Sequence, residues 1–172
     1  MTRMLLAIVF GAVLLPSSAP RGQSHPDFSG TWTMDVQRSV SPTYPEFGGA
    51  VTLVINQSDT AITIETKRGG RSATVTYLPG KPPSTPASGV DPPGPGSPSS
   101  RYYWEGTKLV TETVRLASDA PEGTFRTREV RTLNGDGTEM TVDTMLVVEH
   151  GYTLKGTKNH ETGKDVYRKT GT

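Results

Sequence analysis

The sequence predicts an all-β fold: an antiparallel up-and-down meander of about 8–10 strands that curls into a closed barrel. Three observations carry this. Past residue 24, apolar residues recur with period two, and spacing at three and four is nearly absent. Short turn signals separate the alternating runs, "NQSDT", "RGGR", "EGTK", "NGDGT" and "EHGY", so neighbours in sequence become neighbours in the sheet. A meander this long leaves two exposed edges unless its first strand pairs with its last. A two-sheet sandwich is the fallback.

The chain begins with a different kind of segment. Arg3 precedes an uninterrupted apolar run from Met4 to Leu15, and Pro16 to Ser24 are small or polar. That pattern predicts a secretory signal peptide over 1–24. The run falls short of the roughly 20 apolar residues that span a bilayer. A cut after Ala19 fits the small-residue rule but leaves Pro20 first, and a cut after Ser24 fits at least as well. The remaining 25–172 fits one domain.

The expected strands are 30–37, 50–57, 61–67, 72–78, 101–105, 108–116, 124–133, 138–148, 152–158 and 164–170. In the first, Trp32, Met34 and Val36 alternate with Thr31, Thr33 and Asp35; in the next three, Leu53 and Ile55, Ile62 and Ile64, and Val75 and Tyr77 mark one face. Connections in a meander alternate between the barrel's two ends. The first, 38–50, then shares an end with the third, fifth, seventh and ninth. The fourth, 79–100, is rich in Pro, Gly and Ser and reads as a surface excursion at the other end.

Composition narrows the function. Hydrophobic residues make up 33% of the chain, so the core is thin. With no cysteine there is no disulfide or thiol chemistry, and an exported domain must stand on packing alone. Setting aside Arg3 and Arg21 leaves 16 basic residues against 17 acidic ones. Near-neutrality points away from nucleic acid and from anionic membrane as partners.

If the terminal strands pair, Trp32 lies beside Tyr167 to Lys169. Its indole then plugs one barrel end, with Gly30 before it and a guanidinium such as Arg168 lying over the ring. "FSGTW", Phe28 to Trp32, resembles the Gly-x-Trp signature of the calycin superfamily, the lipocalins and fatty-acid-binding proteins. "TREVRTLNGDGTEMTVDT", Thr127 to Thr144, and "DVYRK", Asp165 to Lys169, are similar to late strands of the fatty-acid-binding branch. "PDFSGTWTMDVQRS" with the later "YWEGTKLV" resembles secreted bacterial lipocalin-like domains. The resemblance implies a lipocalin-like barrel with a tryptophan floor crossed by a late Arg or Lys. Two departures matter. The segment 38–50 lacks the helical pair of fatty-acid-binding proteins, and their carboxylate-gripping Arg-x-Tyr falls on Asp165 and Tyr167, so the arginine is missing. Arg128 matches the other family arginine. The resemblance therefore implies a neutral or differently held ligand.

Several residues are candidates for lumen and rim. Strand 124–133, "TFRTREVRTL", is charged on both faces, with Arg126 and Arg128 on one and Glu129 and Arg131 on the other. An inward arginine either serves a polar lumen or is neutralised by a carboxylate such as Glu112 or Asp143. Arg126 and Arg128 are the candidate ligand contacts, together with Tyr77 and Tyr167. Tyr44 and Phe47, in the first long connection, are placed at the entrance opposite Trp32. Of Tyr102, Tyr103 and Trp104, alternation turns Tyr103 away from the other two.

Catalytic chemistry has little to stand on. His25, His150 and His160 fall at the amino-terminal edge or in turns, and no third ligand is spaced for a metal. The sequence has no Gly-x-Ser-x-Gly, His-Glu-x-x-His or phosphate-binding glycine loop, and "GDG" lacks the carboxylate series of a calcium site. No catalytic residue, metal or cofactor is assigned, and a non-enzyme is expected. The expected function is an exported, periplasmic or extracellular monomer that binds a small hydrophobic or amphipathic molecule in the barrel. The alternative is a scaffold barrel with a filled lumen, acting through loops or rim.

Overall fold

The computed structural model describes residues 25–41, 50–81, 99–116, 124–149 and 160–171. The expected leader 1–24, most of the Pro-rich excursion, and the expected strand 152–158 lie outside these residues. Nine strands form one closed barrel in chain order. They are β1 Gly30–Met34, β2 Thr52–Gln57, β3 Ile62–Arg68, β4 Arg71–Pro79, β5 Ser99–Glu105, β6 Lys108–Leu116, β7 Thr124–Leu133, β8 Glu139–Glu149 and β9 His160–Gly171. The barrel closes as alternation and edge protection require: β1 pairs antiparallel with β9, Trp32 opposite Lys169 and Met34 opposite Tyr167.

The meander is interrupted once. β4 and β5 run parallel, in register only at Leu78 with Arg101 and Pro79 with Tyr102. A closed ring of alternating strands needs an even number. With nine strands and an antiparallel closure, one neighbouring pair must be parallel. The expectation of an unbroken antiparallel barrel is corrected at this joint. The direction reverses from there on, so the turns at 106–107 and 134–138 lie at the Trp32 end, not with the first connection. The backbone N–H of Lys169 donates to Thr138 O at 2.9 Å, which fixes the latter turn against the floor.

Two strand bounds differ from expectation by more than two residues. β1 stops at Met34, and Val36–Arg38 form a single 3-10 turn. The Ser39 hydroxyl fills the gap in the ladder, donating to Asp35 O at 2.8 Å and accepting from Val166 N–H at 3.0 Å, and pairing resumes at Val40 with Lys164. β9 begins at His160, earlier than the expected 164, and pairs directly with β8, Val147 opposite His160.

Inward residues from eight of the nine strands fill the half of the barrel nearest Trp32. Trp32, Met34, Leu53, Ile55, Ile62, Ile64, Tyr77, Tyr102, Leu109, Met140, Val142 and Tyr167 form one buried cluster with Phe28. This dry plug is the main source of stability in a chain without disulfides. Tyr103 joins Val110 and Val130 in a separate small cluster, as its opposite parity requires.

Candidate functional site

The floor is built by the first strand and the stretch before it. Trp32 is fully buried, and its indole N–H donates to Phe28 O at 2.9 Å. Phe28 is held in turn, its N–H donating to Gln57 Oε1 at 3.0 Å, and the His25 ring stacks on Trp104 at 4.1 Å. Gly30 has a φ of +129°, and a Cβ there would stand 2.7 Å from Gly171 O. The expected cation over Trp32 is corrected. Lys169 Nζ lies 5.3 Å from the ring centroid, while Arg168, one residue away and so on the other face, points outward to Asp35 at 3.3 Å.

Above the floor lies a polar layer built on Arg131 and Glu129, which were not candidate contacts, and it includes the candidates Tyr77 and Tyr167. Arg131 is 2% exposed, donating from Nη1 to Thr111 Oγ1 and from Nη2 to Glu129 Oε2, both at 2.6 Å. Thr111 Oγ1 donates to the same Glu129 oxygen at 3.2 Å. Burial opposes the Arg131 charge, but Glu129, with Tyr77 and Tyr167, offsets this, so its pKa is raised. Tyr77 is 7% exposed, and its pKa is raised by burial first and by Glu129 second. Across the layer, Asp165 is 4% exposed; burial lifts its carboxyl above the ordinary value, Glu129 adds to the shift, and a hydrogen bond from Ser41 opposes it. Tyr167, 3% exposed, belongs to the same wall, two residues along β9 from Asp165.

Arg126 and Arg128, expected in the lumen, stand on the outer wall. Register settles this: Glu129 and Arg131 oppose Thr111 and Leu109, which face inward, and the even-numbered arginines alternate with them. Arg128 donates from Nη2 to Glu105 Oε1 at 2.7 Å and lies 3.9 Å from Glu112. Glu112 also accepts from Arg101 at 2.7 Å and from the Tyr103 hydroxyl at 2.9 Å. The carboxylate-paired alternative thus describes Arg128. Arg126 sits on the same face, between Val114 and Val147. Tyr44 and Phe47 lie outside the described residues. One signal could have identified Arg131. Phe125 and Leu133, the apolar ends of β7, share its parity and mark the inner face.

Beyond the polar layer the inner wall changes character. Thr66, Ala73, Ser100, Thr113 and Thr127 line it and are not buried, while Leu146 and Val148 of β8, on the same face, are. The β4 segment Arg71–Thr74 is exposed on both faces, while Tyr77 further along is buried. The parallel joint explains why. β5 begins at Ser99, level with Thr76, so among the described residues Arg71–Val75 have β3 on one side and no strand on the other. A lateral slot thus opens beside small side chains. Among the described residues no group of three or more His, Cys, Asp or Glu is placed to hold a metal ion, and no helix is long and apolar enough to cross a membrane.

No protein-family profile matches the chain, and no curated protein does. Solved structures do resemble it. A point mutant of the fluorescent protein UnaG shares 18% identity, covering 83% of this chain and 96% of its own, with a TM-score of 0.47. A secretory abundant heat soluble protein from Ramazzottius varieornatus shares 11%, covering 86% and 98%, with a TM-score of 0.49. The fatty acid transporter REP1-NXSQ shares 9%, covering 83% and 95%, with a TM-score of 0.39.

Proposed function

We propose that the chain is an exported binding protein that holds a small hydrophobic or amphipathic molecule in the barrel, above the polar layer. One observation carries this reading: the inner wall beside the slot, at Ala73, is exposed to solvent although it belongs to the interior of a closed sheet. The floor is dry and sealed by Trp32, so the room for a ligand lies on the far side of Arg131, Glu129 and Tyr77. The wall there combines small residues with the apolar Leu146 and Val148. The apolar run of the leader supports export, to the periplasm or beyond, and the absence of a motif for catalysis supports a carrier role.

The chain has no cysteine, so Ala73→Cys provides a single labelling site on the inner wall. A maleimide reagent is expected to modify it readily. Saturating N-phenyl-1-naphthylamine, an uncharged apolar probe, is expected to slow modification by about tenfold or more while its fluorescence rises. A cysteine labelled at the same rate with and without the probe, and a probe that stays dark, would leave the filled scaffold barrel as the better reading.

A further inference from the structure

We propose that the polar layer receives the head of a neutral ligand that both donates and accepts hydrogen bonds, of the carboxamide or lactam class, and that it discriminates against carboxylates. The inference rests on the carrier reading and assigns the chemistry of the bound molecule. Arg131 and Asp165 share one rung of the sheet, on either side of Val142: Arg131 opposes Val142, and Val142 opposes Asp165. Their Cα atoms are therefore two strand spacings, about 10 Å, apart, with both side chains turned inward.

Each side chain has one buried atom without a hydrogen-bond partner among the described residues, Nε of Arg131 and Oδ1 of Asp165. The other two nitrogens of the guanidinium are committed to Thr111 and Glu129. Folded proteins leave few buried polar atoms unmade, and each costs free energy until something satisfies it. The layer thus offers one donor and one acceptor, with the inward Val142 between them on the rung. A carboxamide supplies the complement, its carbonyl to Arg131 Nε and its N–H to Asp165 Oδ1.

The charged alternatives fit less well. A carboxylate has no N–H for Asp165, and it adds a negative charge to a layer in which Glu129 already offsets Arg131. An alkylammonium finds Asp165 but cannot accept from Arg131, and it brings a second cation beside the guanidinium. The tail of the ligand then extends along the wall of Thr66, Ala73 and Thr127 toward the slot.

Three compounds with one tail separate these cases: dodecanamide, dodecanoate and dodecylammonium, each competed against N-phenyl-1-naphthylamine on the full chain at pH 7. Dodecanamide is expected to displace the probe about tenfold more tightly than either charged compound. Asp165→Asn keeps an acceptor oxygen and removes the charge. It is expected to tighten dodecanoate about tenfold, so that the amide-to-acid ratio falls. Dodecanoate binding as tightly as dodecanamide to the natural chain overturns the proposal, as does an amide-to-acid ratio that Asp165→Asn does not change. Should that variant fail to fold, the ranking on the natural chain decides. If the naphthylamine binds and none of the three displaces it, the head-group assignment falls and the carrier reading stands. If the naphthylamine itself does not bind, both fall.

Discussion

Asp165 is a residue whose chemistry the fold disturbs. Its side chain is turned into the barrel by the parity of β9, it stands near Glu129, and one of its oxygens is unsatisfied among the described residues. Burial raises its pKa above the ordinary 3.8, so the folded chain binds this proton more tightly than the unfolded chain. By linkage, stability falls as pH rises from near that ordinary value through the folded pKa, and the penalty is complete above it. Asp165→Asn removes the charge. The variant is expected to be more stable than the natural chain at pH 7 by about 1 kcal/mol, with the difference vanishing as both are acidified below pH ~3.8. Urea titrations at the two pH values measure this; an equal or larger gain in acid would show that the carboxyl is not strained by its burial. Sequence reasoning reached Asp165 only as a missing arginine. It placed Arg128 rather than Arg131 inward because β7 is polar on both faces, and alternation alone does not say which face is wet.

The first strand shows what a short motif can and cannot specify. Gly-Thr-Trp was legible as a floor, because a large ring beside a paired terminal strand has few other places to go, and Trp32 is buried as expected. Which cation crosses it was not legible, since Arg168 and Lys169 are adjacent and one residue of register exchanges them. The register is set at Gly30. There the chain shifts by a bulge between Thr31 and Trp32, and Gly171 O and Lys169 Cε stand where a Cβ would be. Gly30→Ala therefore forces a positive φ on a residue with a side chain and pushes β9 away from β1. A loss of about 2–4 kcal/mol in unfolding free energy is expected, from backbone strain and the loosened closure together. Thermal denaturation followed by near-ultraviolet circular dichroism reads both, because the Trp32 environment reports the floor. A variant that melts with the natural chain and keeps its aromatic signal would mean that the bulge does not fix the register.

At the scale of the whole barrel, period-two patterning revealed the sheet and the need for closure, but not its one irregular joint. Nothing in "TYLPG" or "SSRYYW" distinguishes a parallel from an antiparallel neighbour, because both halves alternate in the same way. The joint follows from strand number: ten strands were expected, and nine form the ring, with β9 pairing directly with β8 from His160 onward. The consequence is an uneven wall. β7 and β8 are in register over ten residue pairs, from Thr124 to Leu133, whereas β4 and β5 are in register at two, one of them a proline without an N–H. Gly80 adds one bond, its N–H donating to Tyr102 O at 2.7 Å. Local opening follows the number of bonds that must break together, so the joint beside the slot is expected to open first. Native-state hydrogen exchange tests this directly. The Gly80 amide is expected to exchange at least about 100-fold faster than that of Val130 in the middle of β7, and a bound probe is expected to slow Gly80 more than Val130. Equal protection at the two amides would mean that the barrel opens only as a whole, leaving the slot beside Ala73 as the route by which a ligand reaches the polar layer without help from the joint.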